Sequence, residues 1–337
     1  MNLKELASSL GLSQTTVSRA LNGYPEVNET TRLRVVETAS RLGYRANASA
    51  RRLATGRAGA FGWVLRAESY GPHTTEFLGG LAERLFHDEI DVLVSTVETA
   101  EEELANYRRA VASKKVDAFI LASPYPGDPR VQELSKLGVP FLLHGRSDGT
   151  PPHAWLDIDN AGAMERATNH LLDLGHRRIA MINGPRGMTF ANDRENGYRA
   201  ALIGRGITPT PAYVINSQFT DEMGFRHAQS LLERNPRPTA FLAGSMMTAL
   251  GIFRAIRSAG LTLGKDVSMI AHDDVFPYLN ADTMVPSMST TRSSIRAAGT
   301  RIGELLMQLV AGKAAAEIHE VWPVDLVLRE STGPAPE

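Results

Sequence analysis

From residue 60 to the C-terminus, short β-branched or aliphatic runs alternate with amphipathic helical stretches, and this alternation limits the possible folds more than any other feature. Residues 61–65, 92–95, 118–122 and 140–143 read as strands, with helices at roughly 76–87, 100–113 and 130–137 between them. Residues 179–182, 213–215, 239–243, 267–271 and 324–328 repeat the strand pattern. Repeated strand–helix alternation means parallel sheets with helices on both faces. About ten strands are too many for one small sheet, so two lobes are expected. Ligands in such folds sit beyond the carboxyl ends of the strands, here in a cleft between the lobes.

The first 57 residues follow other rules. They hold nine basic and four acidic side chains, a charge of +5, which leaves −6 on the rest of a chain whose formal net charge is −1. A small basic head on an acidic body suits docking of one end onto a polyanion. Leu3, Leu6, Ala7 and Leu10 recur at helical spacing, and Gly11 ends that helix. Ser13 is a good N-cap for a second helix from Gln14 to about Leu21, with Val17, Ala20 and Leu21 inward and Asn22-Gly23 as its stop. A third helix opens at Asn28 or Thr30 and ends near Gly43, with Leu33, Val36 and Ala39 or Ser40 expected to pack. Helix, glycine-containing turn, helix is the geometry that lays its second member in a major groove. The polar face of that member offers Gln14, Thr15, Thr16, Ser18 and Arg19, groups suited to base edges and phosphates.

The ordered run Leu10-Gly-Leu-Ser-Gln-Thr-Thr-Val-Ser-Arg-Ala-Leu-Asn-Gly23 resembles the headpiece of the LacI/GalR family of bacterial transcription regulators. Later runs also match, among them Asp157-Ile-Asp-Asn160, Leu174-Gly-His-Arg-Arg-Ile179, Asn196 to Leu202, His272-Asp-Asp274 and Leu326 to Thr332, so the resemblance spans nearly the whole chain. It implies an α/β architecture, a helix-turn-helix headpiece followed by a two-lobed core of parallel sheets similar to a periplasmic sugar-binding protein. The implied boundaries are 1–46 for the headpiece, 47–57 for a hinge helix, 58–158 with 288–320 for the N-terminal lobe, and 159–287 with 321–333 for the C-terminal lobe. By the resemblance Gln14, Thr15 and Arg19 read bases, while Ser13, Thr16, Ser18 and Asn22 touch phosphate or cap. In the hinge, Asn47, Arg51, Leu53 and Ala54 face DNA, and Leu53 is the minor-groove wedge. A helix this short is marginal in water and is expected to form only with its partner and DNA. Ala46 stands where the family usually has proline.

For the effector, the resemblance puts a hydroxyl-gripping arginine at Arg194, a hydroxyl acceptor at Asp273 and a stacking aromatic at Phe219. His73, Thr74, Glu76 and Arg146 are candidates from the N-terminal lobe. Ser245-Met246 replaces the usual Asn-Asp, so Ser245 takes the place of a ligand-touching amide. Planar polar groups that grip hydroxyl pairs, with an aromatic face for the ring, favour a neutral sugar. The headpiece and the run from His73 to Phe77 are similar to regulators of α-glucoside uptake, which implies a maltose-, sucrose- or trehalose-like effector. The partners implied are a palindromic operator, a small sugar and a second copy of the chain, with no leucine-rich tetramer helix after Thr332.

Other functions are disfavoured. No run approaches the ~18–20 apolar residues of a spanning helix, and Lys4-Glu5 interrupts any secretory signal, so a cytoplasmic, nucleoid-associated protein is expected. Cysteine is absent, which removes disulfides, thiolate metal sites and thiol nucleophiles. Gly145-Arg-Ser-Asp-Gly149 has the spacing of a nucleophile elbow, but Pro151-Pro152 prevents the required turn into a helix. Neither His-Glu-x-x-His nor a phosphate-cradling Gly-x-x-x-x-Gly-Lys-Ser/Thr run occurs, so neither an enzyme nor any cofactor is expected. A transport binding protein would have no use for residues 1–57. An activator, or a regulator needing a corepressor, would share the same contacts.

Overall fold

The structure, a computed structural model, describes residues 1–21, 23–44, 56–67, 70–149, 151–273 and 275–337. It divides into two compact units, residues 1–59 and 60–337.

The first unit holds α1 (Leu3–Leu10), α2 (Gln14–Leu21) and α3 (Glu29–Arg41). Asn2 and Glu5 form a reciprocal cap on α1: each side chain accepts a hydrogen bond from the other's backbone N–H, satisfying two otherwise unpaired donors. Gly11 ends α1 in the left-handed region, and Ser13 Oγ accepts from Thr16 N at 3.0 Å to open α2. Leu6, Leu10, Val17, Ala20, Val27, Val35 and Ala39 make the core. Contrary to expectation, Leu33 and Val36 are 54% and 47% exposed, and the inward face of α3 is Val35, Thr38 and Ala39. Both stripes have helical spacing, so periodicity could not choose between them; packing against α1 and α2 does.

The second unit begins β1 (Ala60–Arg66), α4 (Pro72–Phe86), β2 (Asp91–Val97), α5 (Ala100–Ala112), β3 (Ala118–Ala122), α6 (Pro129–Leu137), β4 (Phe141–His144) and β5 (Ala154–Ile158). It continues α7 (Asn160–Asp173), β6 (Ile179–Asn183), α8 (Thr189–Gly204), β7 (Val214–Asn216), α9 (Asp221–Leu232), β8 (Ala240–Ala243), α10 (Met246–Ser258), β9 (Ser268–Asp273) and β10 (Ser289–Arg292). It closes with α11 (Ile295–Val310), β11 (His319–Trp322) and β12 (Asp325–Val327). One sheet has the order β11-β5-β4-β3-β1-β2, all parallel. The other has the order β12-β10-β9-β8-β6-β7, parallel except for the β10–β12 pair.

The chain therefore passes between sheets three times, after β5, after β10 and after β11. The second and third passages correct the expected lobe boundaries. Residues 289–292 belong to the C-terminal lobe's sheet, and the N-terminal lobe keeps the chain through Trp322. β5, β10 and β11 were also not expected as strands. Ser289-Thr-Thr-Arg292 carries no apolar signal; its first three side chains are buried and hydrogen-bonded, Ser289 Oγ to Arg329 O and Thr291 Oγ1 with His272 Nδ1.

Both faces of each sheet are covered. Phe61, Trp63 and Leu65 of β1 point into one core and Val64 into another, as a parallel sheet between helix layers requires. α4 and α11 approach so closely that a Cβ on Gly299 would lie 2.1 Å from Phe77 O. His176 is buried, its ring nitrogens paired with Thr239 Oγ1 (3.0 Å), Ser268 Oγ (2.9 Å) and Gly333 O (3.1 Å), which ties the closing segment to the second sheet. Among the described residues, no helix is long and apolar enough to cross a membrane.

Candidate functional site

In the first unit, α2 presents Gln14, Thr15 and Arg19 to solvent, with Thr16 and Ser18 half-buried beside them. Ser13 is engaged in the cap, and its hydroxyl also lies 2.8 Å from Thr16 Oγ1. Asn22, Asn47, Arg51, Leu53 and Ala54 lie outside the described residues.

In the second unit, a cavity of about 580 Å³ opens between the carboxyl edges of the two sheets. Strand ends supply Arg66, Ala122, His144 and Asp157, and the starts of α7 and α8 supply Asn160, Phe190 and Arg194. Arg194 is 5% exposed; its Nε donates to Asn160 Oδ1 (2.7 Å) and its Nη1 to Gly244 O (2.8 Å), over the Phe190 ring. Asp157 accepts from Arg146 Nε (2.7 Å), Ile158 N (2.8 Å) and Asn160 Nδ2 (3.3 Å). Phe219 packs 6.0 Å from Phe190 and 5.7 Å from His73, which also meets Phe276 edge-on at 4.9 Å. Two glycines make room for that ring. A Cβ on Gly184 or Gly244 would come within 2.9 or 2.7 Å of Phe219.

Of the expected effector residues, His73, Thr74, Arg194 and Phe219 line the cavity, and Glu76, Arg146, Ser245 and Asp273 do not. Glu76 is buried between α4 and α11, 3.4 Å from Arg296. Ser245 is buried as the cap of α10, accepting from Thr248 N at 3.1 Å. Asp273 accepts from Val275 N at 2.8 Å and lies 3.9 Å from Arg292. Arg146 joins the lobes, reaching from Asp157 to Asp193 of α8 at 3.3 Å. Burial works against its charge, but the hydrogen bond it donates to Asp157 and the surrounding carboxylates win and raise its pKa; burial pushes the Asp193 carboxyl up, partly offset by Arg146. A second interlobe tie runs from Thr189, whose N and Oγ1 donate to Pro124 O at 3.0 and 3.1 Å.

Sequence reasoning missed Asn160, Phe190, His144, Arg66 and Glu103. The run from Asp157 to Asn160 carries only a family resemblance in the sequence, yet it lies at the carboxyl end of a strand of the parallel sheet, where ligands of such folds bind. Ser147 of the elbow-like run donates to Tyr125 O and accepts from Asp128 N, so it braces a loop. Among the described residues, no group of three or more His, Asp or Glu is placed to hold a metal.

A helix-turn-helix with a polar exposed face, carried in one chain with a two-lobed α/β core around a polar and aromatic cleft, defines a ligand-responsive DNA-binding regulator. Residues 2–47 match "Bacterial regulatory proteins, lacI family", and residues 58–324 match "Periplasmic binding proteins and sugar binding domain of LacI family". The chain belongs to the LacI family of transcriptional regulators, with a DNA-binding headpiece and a sugar-binding domain, and is not an enzyme. It is 46% identical to the HTH-type transcriptional regulator AglR of Rhizobium meliloti (strain 1021), over 100% of this chain and 96% of that one. It is 32% identical to the regulator RafR of Escherichia coli, over 96% of each chain. Its fold is similar to that of the lac repressor dimer bound to operator and the anti-inducer ONPF, with a TM-score of 0.80 at 25% identity over 99% of each chain. A complex of the regulator CelR with cellobiose gives 0.73 at 28% identity, over 98% of this chain and 99% of that one.

Proposed function

We propose that this protein is a repressor of a carbohydrate-utilisation operon, released from a palindromic operator when a small uncharged sugar enters the interlobe cleft. The balance of the cleft carries the ligand class. Arg66, Arg130 and Arg194 line it against Glu103, Asp157 and Asp221, with aromatic rings between. Such a lining offers no net charge to a phosphorylated ligand, but planar groups for hydroxyl pairs and ring faces for a pyranose. The cellobiose held by CelR accords with this, and the α-glucoside resemblance makes maltose, sucrose and trehalose the first effectors to test.

One headpiece reads one half-site, so the reading requires a homodimer on a two-fold operator, acting in the cytoplasm at the nucleoid. Leu93 and Val94, both 41% exposed on edge strand β2, are apolar surface that a second copy would cover. Gln14, Thr15 and Arg19 read base edges; Ser13, Thr16, Ser18 and Asn22 set the helix on the phosphates; Asn47, Arg51, Leu53 and Ala54 engage the minor groove. Sugar binding shifts the lobes and weakens the pairing of residues 47–57, a coupling on the order of 1–3 kcal/mol.

The test is a titration of labelled palindromic DNA at fixed salt, since phosphate contacts make affinity steeply salt-dependent, repeated with a sugar panel. Release by one sugar is expected; tight binding indifferent to every sugar would refute the effector class. Leu53→Ala should weaken operator binding and leave sugar affinity intact, and loss of sugar affinity instead would refute the hinge role.

A further inference from the structure

We infer that the cleft takes a sugar of two rings, and that Arg66 and Glu103, with Tyr125 as the positioning residue behind Arg66, form the subsite for the second ring. The inference rests on the reading of the cleft as a sugar site.

Room is the first observation. At the ~30 Å³ a whole water occupies in the liquid, an upper limit for a covalently bonded atom, the twelve heavy atoms of a hexose fill at most about 360 Å³ and the twenty-three of a two-hexose sugar at most about 690 Å³. The cavity measures about 580 Å³, so space beyond one ring is what the volume supplies.

The second observation is that the cleft has two separate hydrogen-bonding centres. One is Asp157, Asn160 and Arg194. The other stands at the ends of β1 and β3. In the strand order β5-β4-β3-β1, Asp157 and Arg66 are three strand spacings apart, roughly 14 Å at the carboxyl edge. His144 of β4 lies between them, its ring 5.0 Å from that of Phe77, so a pair of ring faces separates the two hydrogen-bonding centres.

The second centre is built rather than incidental. Glu103 is 4% exposed, and its Oε1 accepts from Tyr107 Oη (2.8 Å) and Arg130 Nη1 (3.2 Å). Arg130 is itself fixed by Asp128 Oδ2 (2.7 Å) and Ala122 O (3.2 Å). Glu103 Oε2 faces Arg66 Nε at 3.9 Å, and Arg66 Nη2 donates to Tyr125 Oη at 2.7 Å. Asp128 and Ser147 lock the Tyr125 loop, which Ser123 enters at φ +50. Arg66 and Arg130 balance Glu103 and Asp128, so this end offers a fixed acceptor and a fixed donor fork to hydroxyls without attracting an anion.

Calorimetric titration of the full-length protein tests the assignment. Maltose, sucrose and trehalose would be compared with glucose, fructose and methyl α-D-glucopyranoside. The best two-ring sugar should bind at least about tenfold tighter than its one-ring counterparts. Glu103→Gln and Tyr125→Phe should each remove most of that margin while one-ring affinity changes less than about twofold. Tyr125 is half-buried and Phe keeps its ring, so this variant decides the matter should Glu103→Gln fail to fold. One-ring sugars binding as tightly as two-ring ones, or variants weakening both equally, would overturn the second subsite and leave the sugar reading standing. Binding by none of the six would overturn the sugar reading and this inference with it.

Discussion

Replacing Arg194 by lysine keeps the positive charge and removes the planar fork. In the native cleft the guanidinium spans two buried acceptors, Asn160 Oδ1 at 2.7 Å and Gly244 O at 2.8 Å, while lying 5.1 Å from the Phe190 ring centroid. A single ammonium on a flexible stem cannot hold both acceptors in that plane. At least one is left buried and unpaired, which costs about 1–3 kcal/mol, and the weakened ring contact adds about 0.5–1 kcal/mol. Arg194→Lys should therefore lose about 1.5–4 kcal/mol of stability in urea unfolding. Asn160 and Phe190 also lose the group that orients them, so the sugar response should fall by at least tenfold, equivalent to ~1.4 kcal/mol. Operator affinity without sugar should stay within about twofold of the parent, a difference of under ~0.5 kcal/mol. A variant that unfolds at the parent's urea concentration and releases DNA at the parent's sugar concentration would refute both the energetic reasoning and the place of Arg194 in the site.

Arg146 and Asp193 are partly exposed, so their interlobe ion pair should show a coupling of about 0.2–1 kcal/mol in a double-mutant cycle of Arg146→Gln and Asp193→Asn. Each change should alter sugar affinity by about two- to fivefold and the pair by no more than one alone; a silent Asp193→Asn would refute a role for this interlobe tie in the sugar response. Gly299→Ala drives a Cβ to 2.1 Å from Phe77 O and should lower stability by about 1–3 kcal/mol in calorimetric melting; an unchanged melt would show that α4 and α11 can separate freely. Burial lowers the pKa of His176, so the folded state holds it neutral. Its contribution is complete above the unfolded value of about 6.5 and is lost as pH falls from there toward the lower folded value. His170 and His227 are lowered in the same way and add to the same slope. Urea midpoints should fall between about pH 7 and pH 5, less steeply in His176→Gln; a slope of opposite sign would contradict the buried neutral ring.

Local chemistry in the sequence was enough to determine the headpiece helices and the parallel character of the core. Caps at Ser13 and Asn28 and the stop at Gly11 act within one turn, and runs such as residues 118–122 and 179–182 are apolar on both faces because helices cover both faces. Arg194, Phe219, His73 and Thr74 were also legible as cleft residues. Tertiary structure decided the rest. Which stripe of α3 turns inward depends on α1 and α2, so Leu33 and Val36 misled. β10 pairs with β9 and β12, and its buried Ser289 and Thr291 hydroxyls find partners on Arg329 and His272, which no local pattern announces. Glu76, Ser245 and Asp273 carry the right chemistry for hydroxyls, yet the fold leaves them outside the cavity lining, in an ion pair, a helix cap and a turn. Glu103 and Arg130 reach the cleft from two helices that meet only in the folded lobe, because side-chain proximity across a sheet is set by strand order, which the sequence does not spell out.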